Sequence, residues 1–85
     1  MMMSAQELTA LADLRSRIQN CARSRRITEQ MFFETAHYWW HRSEQSRITS
    51  GALVKISQIL KGEIQEELPQ YVVEFLVYCE AGDKK

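Results

Sequence analysis

The sequence contains few of the residues that build phosphate-binding loops, disulfide frameworks or membrane spans. Its 85 residues include three glycines, one proline and two cysteines. The glycines are scattered along the chain, so no glycine-rich loop that cradles a phosphate is present. The longest apolar stretch is interrupted by Glu74 and is too short to cross a bilayer.

The two cysteines lie far apart, and neither belongs to a closely spaced pair of the kind that binds metals. Cys21 and Cys79 therefore predict two reduced, packed thiols rather than a disulfide. Residues 1–7 lack the basic segment followed by an apolar core that marks a secretion signal. On these grounds we expect a cytoplasmic protein.

The charge is zero overall but uneven along the chain. Every arginine lies between Arg15 and Arg47, and every lysine follows that segment. Residues 15–47 carry seven arginines against three glutamates, an excess of four positive charges. A neutral total argues against non-specific binding to nucleic acid, whereas an arginine-rich side still suits a charged protein or DNA partner.

Apolar residues are abundant for such a short chain. Seven of the ten residues 31–40 and eight of the nine residues 71–79 are apolar or aromatic. A chain of this size forms one domain and buries only about 60–65% of the surface that its unfolded form exposes. We therefore expect a single domain over residues 1–85, and a homodimer that buries the remaining apolar surface.

Apolar periodicity and capping residues predict an all-α fold. Ser4 and Glu7 form a capping box, and Thr28 is a suitable N-cap. Gly62 suits the left-handed position after a helix, and Pro69 suits the first position of the next one. The predicted fold is a compact bundle of four main helices, at residues 4–24, 28–46, 50–61 and 69–81, with frayed ends at 1–3 and 82–85.

The last predicted helix has an unusual composition. Residues 71–79 are rich in strand-forming valine, tyrosine and phenylalanine. No other segment alternates with a period of two, so a strand here would have no partner within the chain. We expect a helix that is apolar nearly all round, packed either inside one chain or across two.

The second predicted helix presents apolar side chains on two sides. At 100° per residue, one broad face is formed by Phe32, Phe33, Ala36, Trp39 and Trp40. Met31 and Tyr38 point almost the opposite way. One of these two sides is therefore expected to meet a molecule other than this chain's own core.

Aromatic residues and arginines supply the candidate binding residues, because tyrosine, tryptophan and arginine dominate the energetics of protein interfaces. Arginine also binds carboxylates and phosphates in a bidentate manner. The alternative is a solvated helix junction whose arginines pair with Glu29, Glu34 and Glu44. The predicted anchors are Tyr38, Trp39 and Trp40, and the predicted charged rim is Arg42, Arg47, Arg23, Arg25 and Arg26. The leading hypothesis is a non-enzymatic regulatory or adaptor protein that binds a protein partner.

Two patterns bear on metal binding and catalysis. His37 and His41 have the four-residue spacing that lets two imidazoles share a metal, but the pattern lacks the glutamate of zinc proteases and a nearby cysteine. The alternative is a pair of partly exposed histidines at the edge of an aromatic face. Ser43 and Ser46 follow His41 without an orienting acid. We expect no enzyme activity, no cofactor and no metal site.

Two short segments resemble parts of a known DNA-binding motif. Ile27-Thr28-Glu29-Gln30 resembles the opening of the first motif helix in lambda-repressor-like helix-turn-helix proteins, and Ser46-Arg47-Ile48, with Gly51, is similar to the end of their recognition helix. The resemblance implies that residues 43–47 face the major groove and that residues 23–26 contact phosphates. The alternative hypothesis is accordingly a DNA-binding transcription regulator.

Overall fold

Four α-helices form the fold in the computed structural model, which describes residues 3–42 and 47–83. They are α1 (Ala5–Ser24), α2 (Glu29–His41), α3 (Ser50–Leu60) and α4 (Gln70–Asp83). These described ranges contain no strand. The prediction of an all-α fold with four main helices is confirmed, including the helical state of the valine-rich last segment.

The first three helices begin at side chains that bind the free backbone N–H groups of the first turn. Ser4 Oγ accepts a hydrogen bond from the Glu7 N–H, and the Glu7 carboxylate accepts one from the Ser4 N–H, both at 3.2 Å. Thr28 and Thr49 cap α2 and α3 through their hydroxyl oxygens. The start of each helix therefore follows from short-range sequence signals.

Helix α2 ends at His41, five residues before the predicted end at 46. Arg42 adopts a left-handed conformation with φ of 54°, and its N–H donates to the Tyr38 carbonyl at 2.7 Å. Glycine is the usual residue at such a position. Because an arginine occupies it here, the sequence did not indicate that the helix ends at His41. Residues 43–46 lie outside the described part of the chain, and residues 47–49 are not helical.

Helix α4 extends to Asp83, beyond the predicted end at 81, so the expected fraying does not begin at residue 82. The Arg25 guanidinium, at the end of α1, donates to the Cys79 carbonyl at 3.4 Å. A cation near the C-terminal carbonyls of a helix stabilises its last turn. Arg25 is 54 positions away in sequence, so this contact exists only in the folded chain.

The core lies where α2 packs on α4, with α1 and α3 closing it. The ring of Phe32 is fully buried and lies 5.1 Å from the ring of Phe75 and 5.9 Å from that of Phe33, measured between centroids. All four helices contribute to the buried cluster, which comprises Ile18, Cys21, Ala22, Phe32, Phe33, Ala36, Ile56, Leu60, Val72, Phe75, Leu76 and Cys79. Cys21 and Cys79 are buried and form no disulfide, as predicted.

An ion pair joins α1 to α4 at the edge of this core. Arg17 Nε donates to Glu80 Oε2 at 2.9 Å, and Arg17 Nη2 donates to Glu80 Oε1 at 2.6 Å. Hydrogen bonding to Glu80 raises the pKa of the Arg17 guanidinium above its ordinary value. Because the pair is partly exposed, its contribution to the free energy of unfolding is small, about 1 kcal/mol or less.

The lengths and compositions of the helices bear on membrane insertion. The longest, α1, has 20 residues and carries several charged side chains. Within residues 3–42 and 47–83, no helix combines the length and apolar character needed to traverse a bilayer.

Replacement of Phe32 by alanine tests the position of the core. We expect Phe32→Ala to lower the free energy of unfolding by about 3–5 kcal/mol, because it leaves a cavity where α2 meets α4. The measurement is urea denaturation followed by far-UV circular dichroism. The neighbouring exposed residue provides the control, since Met31→Ala should cost less than about 1 kcal/mol. Equal losses in the two variants would contradict the described core.

Candidate interaction surface

Helix α2 is apolar on two sides, as predicted. Phe32, Phe33 and Ala36 are buried against the rest of the chain. Met31 and Tyr38 are exposed, and their seven-residue separation places them two turns apart on one face. The exposed face of Tyr38 is therefore separate from the face that forms the core.

The two tryptophans occupy different environments. Trp39 is half-buried, with its ring 5.5 Å from that of Phe75 and 5.4 Å from that of Tyr78. Trp40 is 40% exposed, and its ring lies 6.3 Å from that of Trp39. Tyr78 of α4 is 59% exposed. Trp40, Trp39 and Tyr78 thus form a continuous aromatic row across the boundary between α2 and α4.

Tyr78 is the member of the aromatic row that the sequence did not identify. Residues 71–79 are apolar on nearly every side, so their pattern does not indicate which side chain remains at the surface. The position of α2 decides which of these side chains remains at the surface. Trp39 packs on Phe75 and lies beside Tyr78, leaving the Tyr78 ring at the surface.

Tyr38 does not belong to the aromatic row. It lies two residues from Trp40, a rotation of about 200° around the helix, so the two side chains leave opposite sides of α2. The arginines are also divided. The 13 residues of α2 span about 20 Å, with residues 23–26 before its N-terminus and Arg42 at its C-terminus. The eight predicted binding residues therefore form several separate groups.

The arginines at the end of α1 and just after it have different roles. Arg25 is half-buried and engaged with the end of α4. Arg23 and Arg26 are exposed, and neither forms an ion pair with another described residue. They border a shallow groove whose lining comprises Gln19, Ala22, Arg23, Arg26, Ile27 and Glu29. Of the three, Arg23 and Arg26 are thus the exposed arginines.

Arg42 and Arg47 are exposed on either side of the four residues 43–46, which fall outside the described ranges. Neither forms an ion pair within those ranges. The resemblance implies that residues 43–47 face the major groove, and of these only Arg47 lies within the described ranges. Arg47 and Ile48 are not in a helix, because α3 begins only after the Thr49 cap.

Two of the exposed arginines have a left-handed backbone. Arg26 has φ of 58° and Arg42 has φ of 54°. For a residue other than glycine this conformation costs about 1 kcal/mol or more, because Cβ approaches the following carbonyl. Strain of this kind is often found where a side chain has a function. At both positions a long cationic side chain is present, although glycine would adopt this backbone conformation without strain.

The two histidines lie at the junction of α2 and α4 beside Tyr71. The His37 and His41 rings are 4.2 Å apart, and the Tyr71 ring is 5.1 Å from that of His37. Burial raises the pKa of the Tyr71 hydroxyl above its ordinary value. In the part of the chain that the structure describes, no three His, Cys, Asp or Glu residues are grouped so that they could hold a metal ion.

A glycine at residue 42 separates the conformational role of Arg42 from any binding role. We expect Arg42→Gly to raise the free energy of unfolding by about 1 kcal/mol, since glycine adopts positive φ without strain. Arg42→Ala is the matched control and should bring no gain, because alanine keeps the Cβ. Urea denaturation of both variants measures this. A destabilised Arg42→Gly would show that the arginine side chain contributes to the fold.

Known proteins offer no assignment of roles to these residues. Comparison of the chain with protein-family models, with curated proteins and with solved structures found no match. The physical properties of the surface are therefore the basis for a functional proposal.

Proposed function

We propose that this chain is a non-enzymatic regulatory or adaptor protein that binds a protein partner through the aromatic row and the arginines after α2. The observation that carries the proposal is the exposure of Trp40 and Tyr78 on either side of the half-buried Trp39. Tryptophan and tyrosine are enriched at interface hot spots, particularly when they are held in place before binding.

The aromatic row packs on the hydrophobic core. Trp39 contacts Phe75, and Phe75 contacts the fully buried Phe32, so a continuous chain of rings links the surface to the core. A side chain that is already ordered loses little conformational entropy on binding. Trp40 and Tyr78 still expose 40% and 59% of their surface, so a partner that covers them removes further aromatic area from water. Two such anchors suit the centre of an interface whose remaining area comes from the surrounding rim.

Arg42 and Arg47 define the chemistry that a partner needs. Both follow the tryptophans in sequence, are exposed, and have no ion-pair partner among the described residues. Guanidinium groups bind carboxylates in a bidentate manner, so an acidic partner surface with an apolar centre suits this end of α2. A cytoplasmic location is part of the proposal, supported by two buried cysteines that form no disulfide.

Alanine variants of the exposed rings test the anchor assignment. We expect Trp40→Ala and Tyr78→Ala each to reduce partner capture about tenfold or more, because each removes an ordered aromatic anchor. The measurement is affinity purification from cells of the source organism, quantified by mass spectrometry and followed by titration of the captured protein. Leu8→Ala, on α1, is the control and should leave capture unchanged.

Arg42→Gly sharpens the same experiment. The variant is expected to be more stable than the wild type yet to capture less partner, an outcome that loss of folding cannot produce. Undiminished capture by both aromatic variants, with helical circular dichroism spectra, would rule out the aromatic row as the binding surface.

DNA binding is the second candidate, and the exposed pair Arg23 and Arg26 favours it. If these two arginines contact phosphates, affinity should fall about tenfold between about 50 and 200 mM salt. A mobility-shift assay with genomic fragments measures this, with Arg23→Ala combined with Arg26→Ala as the variant and Arg15→Ala as the control. No sequence-selective shift at either salt concentration would eliminate this candidate.

A further inference from the structure

Three rings meet near the C-terminal end of α2, where it packs on α4. The imidazoles of His37 and His41 lie one turn apart on α2, and their ring centres are 4.2 Å apart. The Tyr71 ring of α4 lies 5.1 Å from that of His37 and 6.2 Å from that of His41. We call these three residues the histidine cluster. Neither histidine is part of the aromatic row or of the arginine rim.

Tyr71 restricts one imidazole and leaves the other accessible. Tyr71 and His37 are half-buried, and their rings meet edge to face at an angle of 85°. His41 is exposed. A ligand that is held in place before it binds a metal loses little conformational freedom on binding. The cluster therefore combines an ordered imidazole with one that is open to solvent and can turn towards the same ion.

The separation of the two imidazoles suits a single metal ion. Metal–nitrogen bonds of about 2.0–2.1 Å place the centres of two bound imidazoles about 4.5 Å apart when the bonds meet at a right angle, and about 5.2 Å apart at the tetrahedral angle. The observed separation of 4.2 Å is nearer to the first value. Right-angled nitrogen coordination is typical of copper(II) and nickel(II), whereas zinc prefers a tetrahedral site.

The electrostatic surroundings of the two histidines favour a cation. Both lie in the last five residues of α2, where free carbonyl groups give the end of a helix a partial negative charge. Glu34 precedes His37 by three residues, so it lies on the same side of the helix. Arg42 acts in the opposite direction. Because the Glu34 and Arg42 side chains are both exposed, salt screens their charges and the helix terminus supplies the fixed attraction.

We propose that His37 and His41 chelate copper(II) through one nitrogen of each imidazole. Imidazole suits this ion, and copper(II) is the divalent first-row ion that nitrogen sites bind most strongly. Within residues 3–42 and 47–83, no third His, Cys, Asp or Glu is grouped with the two histidines as a ligand. In this part of the chain the remaining coordination positions are therefore open to water, and the site is suited to exchangeable binding.

The sequence did not favour a metal site, because the spacing of the two histidines was the whole of its support. The structure adds the separation of the rings and the packing of Tyr71 against them. Burial raises the pKa of the Tyr71 hydroxyl, so the phenol stays neutral at neutral pH and is a poor metal ligand. Tyr71 therefore forms a wall beside His37 rather than a third ligand.

The test is calorimetric titration of the full chain, without a polyhistidine tag, with copper(II), nickel(II) and zinc(II). The wild type is expected to bind copper(II) with a dissociation constant of roughly 1–100 µM, weaker than a four-ligand site. His37→Ala and His41→Ala should each weaken binding at least about tenfold, because a single imidazole cannot chelate. Trp40→Ala keeps both imidazoles and is the matched control. Cys21 and Cys79 are buried, so their thiols do not compete for the ion in the folded chain.

Electron paramagnetic resonance of the copper(II) complex gives a second readout. The wild-type spectrum should show coupling to two imidazole nitrogens, and the spectrum of each alanine variant should show coupling to one at most. Copper(II) binding that is unchanged in both histidine variants overturns the proposal, because the ion would then be held elsewhere on the chain. So does a wild type that binds no copper(II) up to about 1 mM. Zinc(II) binding tighter than nickel(II) overturns the right-angled coordination from which copper(II) was chosen.

The two histidine variants also guard against a failure of folding. If His37→Ala loses its helical circular dichroism spectrum, His41→Ala carries the test, since His41 is exposed and is less involved in the packing. Trp40→Ala should bind copper(II) as the wild type does even if it abolishes partner capture. The metal site and the proposed function therefore fail independently.

Discussion

The packing of α2 on α4 around Phe32 and Phe75 is the contact on which the rest of the structure depends. It buries the aromatic face of α2, and it places Trp39 beside Tyr78 at the surface. It also positions the two histidines beside Tyr71. Because α4 is apolar on nearly every side, the direction from which α2 approaches determines which of its residues become core and which remain exposed.

A small domain has too little interior to bury a large number of apolar side chains, and in this chain several of them stay exposed. Its buried cluster draws on all four helices, yet Trp40, Tyr78, Val73 and Val77 remain at the surface. Single exposed apolar residues are common in soluble proteins, whereas exposed rings in contact with one another are less so. The left-handed arginines add to this picture, because each retains a cation at a conformational cost.

Much of the fold was predictable because the relevant signals are local. The capping box at Ser4 and the threonine caps of α2 and α3 each act within three residues, so their effect is visible in the sequence. The C-terminal ends of α2 and α4, by contrast, could not be predicted from the sequence. Arg42 carries no sequence signal for a left-handed turn, and the last turn of α4 is supported by Arg25, which is distant in sequence.

The sequence by itself determined the helices, their capped starts, and the angles between side chains on any one helix, since 3.6 residues per turn applies to every α-helix. It therefore placed Tyr38 and Phe32 on different sides of α2. Only the tertiary structure decided that Tyr78 joins Trp40, that Tyr38 does not, and that Arg25 is occupied internally. The physical reason is that the relation between helices depends on long-range packing, which no periodicity within a single helix contains.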